Sequence, residues 1–105
     1  MATSIIKKRL PSVRRVGNVY WWSNSWTCPG DGFLNVRATM NTAGTDAYWY
    51  IRDETLSNIQ VANLTCPKAN GTTMSTLVPV SKGHKYSTSV MANVANAYAD
   101  YYEFY

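Results

Sequence analysis

The chain has 105 residues, enough to enclose one hydrophobic core and too few for two lobes with a cofactor between them. Charged residues are 15% of it, against about 25% in ordinary soluble domains, and Asn, Thr, Ser and Tyr take their place. The net charge of +4 belongs to one end: Lys7, Lys8, Arg9, Arg14 and Arg15 hold five of the ten cations, no acid precedes Asp31, and from Val16 onward five cations face six acids. A near-neutral body argues against nucleic acid as the partner, because no basic face continues the contact an arm would begin.

Residues 1–17 keep no apolar period and are interrupted by Pro11 and Gly17, so they read as an extended basic attachment arm ahead of a body spanning 18–105. Ile5 and Ile6 are the arm's one apolar stretch, too short for an export signal or a membrane span. From Asn18 the period is two. Asn18–Trp22 reads as an aromatic strand, and Cys28-Pro29-Gly30-Asp31-Gly32 as a dense turn. In 33–41, Leu34, Val36, Ala38 and Met40 alternate with Asn35, Arg37, Thr39 and Asn41, the pattern of a strand with one buried face. After a turn at 42–46, Ala47, Trp49 and Ile51 oppose Tyr48, Tyr50 and Arg52.

Ile59, Val61 and Leu64 mark a shorter strand closed by Cys66-Pro67-Lys68-Ala69-Asn70-Gly71. Met74–Val80 follows, with Pro79 implying an edge position or a bulge. Ser81-Lys82-Gly83-His84 reads as a hairpin turn. Beyond it Tyr86, Thr88, Val90, Ala92 and Val94 alternate with Ser87, Ser89, Met91 and Asn93, and after a break at Ala95-Asn96 the chain closes on the aromatic run 97–105. About seven short strands at this spacing predict an all-β fold, an antiparallel sandwich or jelly roll, with Leu34, Val36, Ala38, Trp49, Ile51, Val90 and Ala92 facing inward.

The run Trp26-Thr27-Cys28-Pro29-Gly30-Asp31-Gly32-Phe33, then Ala47-Tyr48-Trp49-Tyr50-Ile51, then Val78-Pro79-Val80-Ser81-Lys82-Gly83-His84-Lys85-Tyr86 and an aromatic last strand resembles the small β-sandwich domains of bacteriophage structural proteins. Such domains occur on tail fibres and head-decorating fibres, often as trimers with a C1q- or tumour-necrosis-factor-like jelly roll. The likeness spans 18–105 and is one of turns and strands. It departs at Cys28 and Cys66, which stand at turn entries, and at His84, where an Asp is often found.

Little in the chain suggests catalysis. His84, the single histidine, sits between cations at a turn and reads as solvated, which leaves a nucleophile–base pair without its base. Asp53 and Glu54 are adjacent, so on a strand they point to opposite faces and do not pair. One His and two isolated Cys supply no metal site, and no cofactor is implied. Without an export signal, Cys28 and Cys66 read as free thiols and the glycosylation patterns at Asn63 and Asn70 as silent.

The aromatic set exceeds one core. Successive strand residues face opposite sides, so some of Tyr20, Trp22, Tyr48, Tyr50, Tyr101, Tyr102 and Tyr105 must lie outside, where they serve either contacts between identical subunits or a platform for sugar rings. The resemblance implies a non-enzymatic virion protein made in the host cytoplasm. It would dock on capsid or tail proteins through its arm, with Arg14 and Arg15 meeting carboxylates there, and its trimeric body would be displayed for adhesion to host surface glycans. A free, lectin-like carbohydrate-binding module is the alternative. No membrane partner is expected.

Overall fold

The computed structural model describes residues 12–41 and 44–105. Among these residues eight strands form: β1 (Val13–Asn18), β2 (Trp26–Thr27), β3 (Gly32–Met40), β4 (Ala47–Asp53), β5 (Ile59–Cys66), β6 (Thr73–Val80), β7 (Lys85–Ala92) and β8 (Val94–Phe104). They make two four-stranded sheets, ordered β1-β8-β3-β6 and β2-β7-β4-β5, and every pairing among the described residues is antiparallel. First pairs with eighth, second with seventh, third with sixth and fourth with fifth. That is one long hairpin rolled into a sandwich, the winding of a jelly roll, and it agrees with the fold class read from the strand pattern.

Alternation is cleanest in β3 and β4, where each strand lies between two neighbours. Gly32, Leu34, Val36, Ala38 and Met40 face inward from β3, and Ala47, Trp49, Ile51 and Asp53 from β4. Val78 and Val80 of β6, Tyr86 of β7, and Ala99 and Tyr101 of β8 complete the layer between the sheets. Each large apolar side chain enclosed this way contributes about 1.5–3 kcal/mol. Gly32 is required at its place: a Cβ there would lie 1.9 Å from the Tyr102 carbonyl oxygen, so β3 and β8 can approach this closely only without a side chain. Pro79 is on β6, an edge strand, as its missing N–H demands.

Several expectations are corrected. The arm does not end at residue 17, because Val13–Asn18 pairs with β8, from Val13 opposite Phe104 to Asn18 opposite Asp100. The sheet therefore begins five residues earlier than the apolar pattern suggests; as an edge strand with a mostly exposed surface, β1 needs no alternation. Residues 19–25 form no strand, although Val19 and Trp21 are buried. The turn at 81–84 closes with His84 N–H donating to Ser81 O at 3.1 Å, yet it is no hairpin: β6 and β7 lie in different sheets, and the turn crosses between them. Thr42 and Ala43 of the turn at 42–46 lie outside the described residues.

Val90 and Ala92 face out, not in, and Val90 is 44% exposed. Tyr50 pairs with Val90 but Ile51 with Thr88, so Ser89 is an extra residue on β7. A bulge of this kind exchanges the faces of everything beyond it. The Ala95-Asn96 break is absorbed within β8, where the ladder with β3 slips between Arg37 and Thr39.

The end of the sandwich near Gly30 is closed by two tyrosines. Tyr101 Oη donates to Gly30 O at 2.5 Å, and Tyr86 Oη accepts from Ser81 N–H at 2.8 Å, with Trp26 packed between the two rings. Burial raises both phenols, and pushes Tyr101 up to about 12. Cys28 lies beside them, buried, its thiol donating to Gly30 O at 2.9 Å, and burial raises it too. Cys28 and Cys66 are both free thiols.

Candidate functional site

The same alternation that fills the core dictates what each sheet shows outside. On β1-β8-β3-β6, partners across the ladders place Phe33 beside Tyr102 and Pro79, Phe104 beside Val13, and Leu77 beside Asn35. Phe33 and Tyr102 stack with centroids 5.0 Å apart and planes 9° from parallel, and Phe104 leans on Phe33 at 5.9 Å. Leu77 is 62% exposed. Val13, Phe33, Leu77, Pro79, Tyr102 and Phe104 thus join into one apolar patch, which water disfavours. Farther along the same face the Arg37 guanidinium lies 4.4 Å from the Tyr98 ring centroid.

The outer face of β2-β7-β4-β5 is more polar. Tyr48 and Tyr50 stack at 5.3 Å, bordered by Asn63 and Thr65 of β5 and by Val90 and Ala92 of β7.

At one side of this sheet the irregular segment 19–25 and the end of β4 enclose a solvent-open cleft of about 320 Å³. Trp22 supplies the aromatic part of a mostly polar wall. Its ring stacks on Trp49 at 5.9 Å and meets the edge of Trp21 at 6.3 Å, while 41% of the residue stays exposed. Also lining the cleft, Arg52 Nε donates to Ser87 Oγ at 3.0 Å, a contact the register sets by placing Arg52 opposite Ser87. Ser25 Oγ donates to a Glu54 carboxylate oxygen, and that bond, with one from Ser87 and the charges of Arg52 and Lys85, holds Glu54 below the usual carboxylate range.

The buried acid next to the cleft is structural. Asp53, 1% exposed, accepts from Thr55 N–H at 2.9 Å and Leu56 N–H at 3.3 Å, and its second oxygen lies 2.7 Å from His84 Nδ1. His84 therefore is not the solvated turn residue its sequence setting suggests: it ties the 81–84 turn to the end of β4. Among the described residues no three His, Cys, Asp or Glu side chains gather to hold a metal ion.

The residues singled out from sequence fall in different places. Lys7, Lys8 and Arg9 lie outside the described residues. Arg14 and Arg15 find their carboxylates in their own chain, Glu103 at 3.5 Å and Asp100 at 3.1 Å, so their charge serves the β1–β8 pair. Tyr101 is 2% exposed and belongs to the core, not the surface. Tyr102 is on the apolar patch. Tyr105 is exposed, under the Arg14 guanidinium, with its backbone paired to Ser12 in both directions. Tyr20 is exposed, and Trp22 lines the cleft. Sequence reasoning missed Phe33, Leu77 and Phe104 as patch residues, although each occupies the outward phase of its strand. It also missed Ser25, Arg52 and Glu54, which only the roll brings together. Comparison with protein-family models, curated proteins and solved structures found no match.

Proposed function

We propose that the chain is a non-enzymatic structural protein of a phage particle, of head-fibre, decoration or tail-fibre type, whose jelly roll associates with two further copies and is displayed for adhesion. The observation that carries this reading is the apolar patch on β1-β8-β3-β6. An aromatic cluster with Leu77 open to water is the composition of a subunit contact, and the same patch on two further copies, meeting around a threefold axis, is the partner of matching chemistry. Three copies follow from the resemblance to phage trimers. The basic run Lys7-Lys8-Arg9 has no counterpart elsewhere in the chain and is the segment offered to capsid or tail proteins. The jelly roll itself is common to capsid and lectin domains, and function rests on the surfaces it carries.

Native mass tests the association. The expected mass is three times 11.8 kDa, reduced to one copy by Leu77→Lys or Phe104→Lys, which place a charge in the contact. A wild-type mass near 11.8 kDa at micromolar concentration overturns it. Deleting 1–11 should leave the trimer intact and abolish co-purification with particles. The second reading, a free lectin-like module, draws on the Trp22 cleft and predicts a monomer or dimer indifferent to that deletion.

A further inference from the structure

We infer that the cleft between Trp22, Ser25, Arg52 and Glu54 is a binding site for a neutral pyranose sugar. This deepens the adhesive reading by naming the ligand class and its place, and it rests on neither the trimer nor the particle.

The aromatic part of the wall comes first. Trp22 presents apolar surface to solvent while its other side is braced by two buried indoles, Trp49 stacked on it and Trp21 at its edge. A ring this well supported is held in one orientation without a ligand, so little freedom remains to be lost on binding. The C–H face of a pyranose is flat and apolar, and it matches such a ring.

The rest of the cleft supplies what hydroxyl groups need. Arg52 donates only and the Glu54 carboxylate accepts only, while Ser25 and Ser87 do both. Vicinal sugar hydroxyls, each a donor and an acceptor, can engage such a set. Arg52 is fixed by Ser87, and Glu54 is fixed by Ser25 and kept ionised by its hydrogen bonds and the neighbouring cations. One cation and one anion side by side give no net charge to the wall, which favours a neutral ring over an acidic one. The volume of about 320 Å³ is at the lower end of the roughly 300–1,000 Å³ of small-molecule sites, and the cleft opens to solvent, so a sugar can enter while attached to a longer chain.

The rival occupants do less well. The Tyr48–Tyr50 pair is bordered by Val90 and Ala92 on an open sheet face and does not share a cleft with ionised groups as Trp22 does with Arg52 and Glu54. The apolar patch offers Tyr102 and the neighbouring Asn35 as polar partners but no enclosing cleft, and the proposed function assigns it to contacts between copies.

The test is titration of the full chain with methyl β-glucopyranoside, methyl β-galactopyranoside, methyl α-mannopyranoside, chitobiose and sialyllactose. Indole fluorescence and saturation-transfer NMR are the readouts, and native mass is recorded in parallel. Saturable millimolar binding of at least one neutral sugar is expected, quenching indole emission. Trp22→Ala should weaken it about tenfold. Because that variant also removes packing on Trp49, Glu54→Gln is the second test: it alters an exposed carboxylate, and should weaken binding several-fold with an unchanged melting temperature. No saturable binding by any neutral sugar, binding of sialyllactose alone, or equal affinity in the wild type and Glu54→Gln overturns the site. A trimer that binds no sugar overturns the site and leaves the association standing; a monomer that binds sugar does the reverse.

Discussion

Two neighbours in one sheet, β4 and β7, alternate equally well in sequence, yet only β4 keeps one face inward from end to end. On β4, Ala47, Trp49, Ile51 and Asp53 are all buried. On β7, Tyr86 is buried and Val90, four residues on, is outside. The difference is one residue, Ser89, accommodated as a bulge against Tyr50 and Ile51. Alternation in sequence therefore tells which residues share a face only along an unbroken ladder, and a bulge resets the phase without leaving a mark in composition.

The strongest way to break this contrast is Trp49→Ala. With Trp49 wholly enclosed, the lost contacts and the cavity should cost about 3–5 kcal/mol in a denaturant melt, and a shift under 1 kcal/mol would mean the inward face of β4 is misassigned. Gly32→Ala examines a ladder that is already tight. The new methyl meets backbone at Tyr102, which cannot rotate aside, so a loss of about 3 kcal/mol is expected from the same melt.

Tyr101→Phe is milder, about 1 kcal/mol, because it removes the hydrogen bond to Gly30 and keeps the ring. It also changes the pH profile. Tyr101, Tyr86 and Cys28 all ionise later when folded than when exposed, so the folded state favours their neutral forms. The stability this represents is complete below the unfolded values, about 9 for a thiol and about 10 for a phenol, and is lost as pH rises beyond them, for Tyr101 through about 12. Thermal melts from pH 8 to 11 should fall at the alkaline end, and less steeply in Tyr101→Phe. Smallest of all is Val90→Ala, expected within about 0.5 kcal/mol; a loss above 1 kcal/mol would return Val90 to the core and remove the bulge.

The fold class could be read because β3 and β4, central in their sheets, must hide one face, and that necessity is written as Leu34-Val36-Ala38 and Trp49-Ile51. The edge place of β6 was legible in Pro79, whose chemistry allows little else. The extent of β1 was not: an edge strand with both faces largely wet carries no pattern, and its basic residues looked like an arm when in fact Arg14 and Arg15 lie across from Glu103 and Asp100. In the cleft, adjacent Trp21 and Trp22 announced that one must face out. Nothing local could announce that Arg52, Glu54 and Ser87 would meet it, since they come from segments far from Trp22 along the chain.

The rolled pairing of first strand with eighth has a kinetic consequence. β8 lies between β1 and β3, so neither partner can complete its ladder until the chain has been synthesised through Phe104. During synthesis β3 waits with one side unpaired, and closure then spans the separation between Val13 and Phe104, at an entropic cost that grows with the logarithm of loop length. Assembly of this sheet thus waits for its last strand and belongs with the slow, non-locally paired β folds, on the order of milliseconds to seconds, which gives unfinished chains time to meet one another through that open strand.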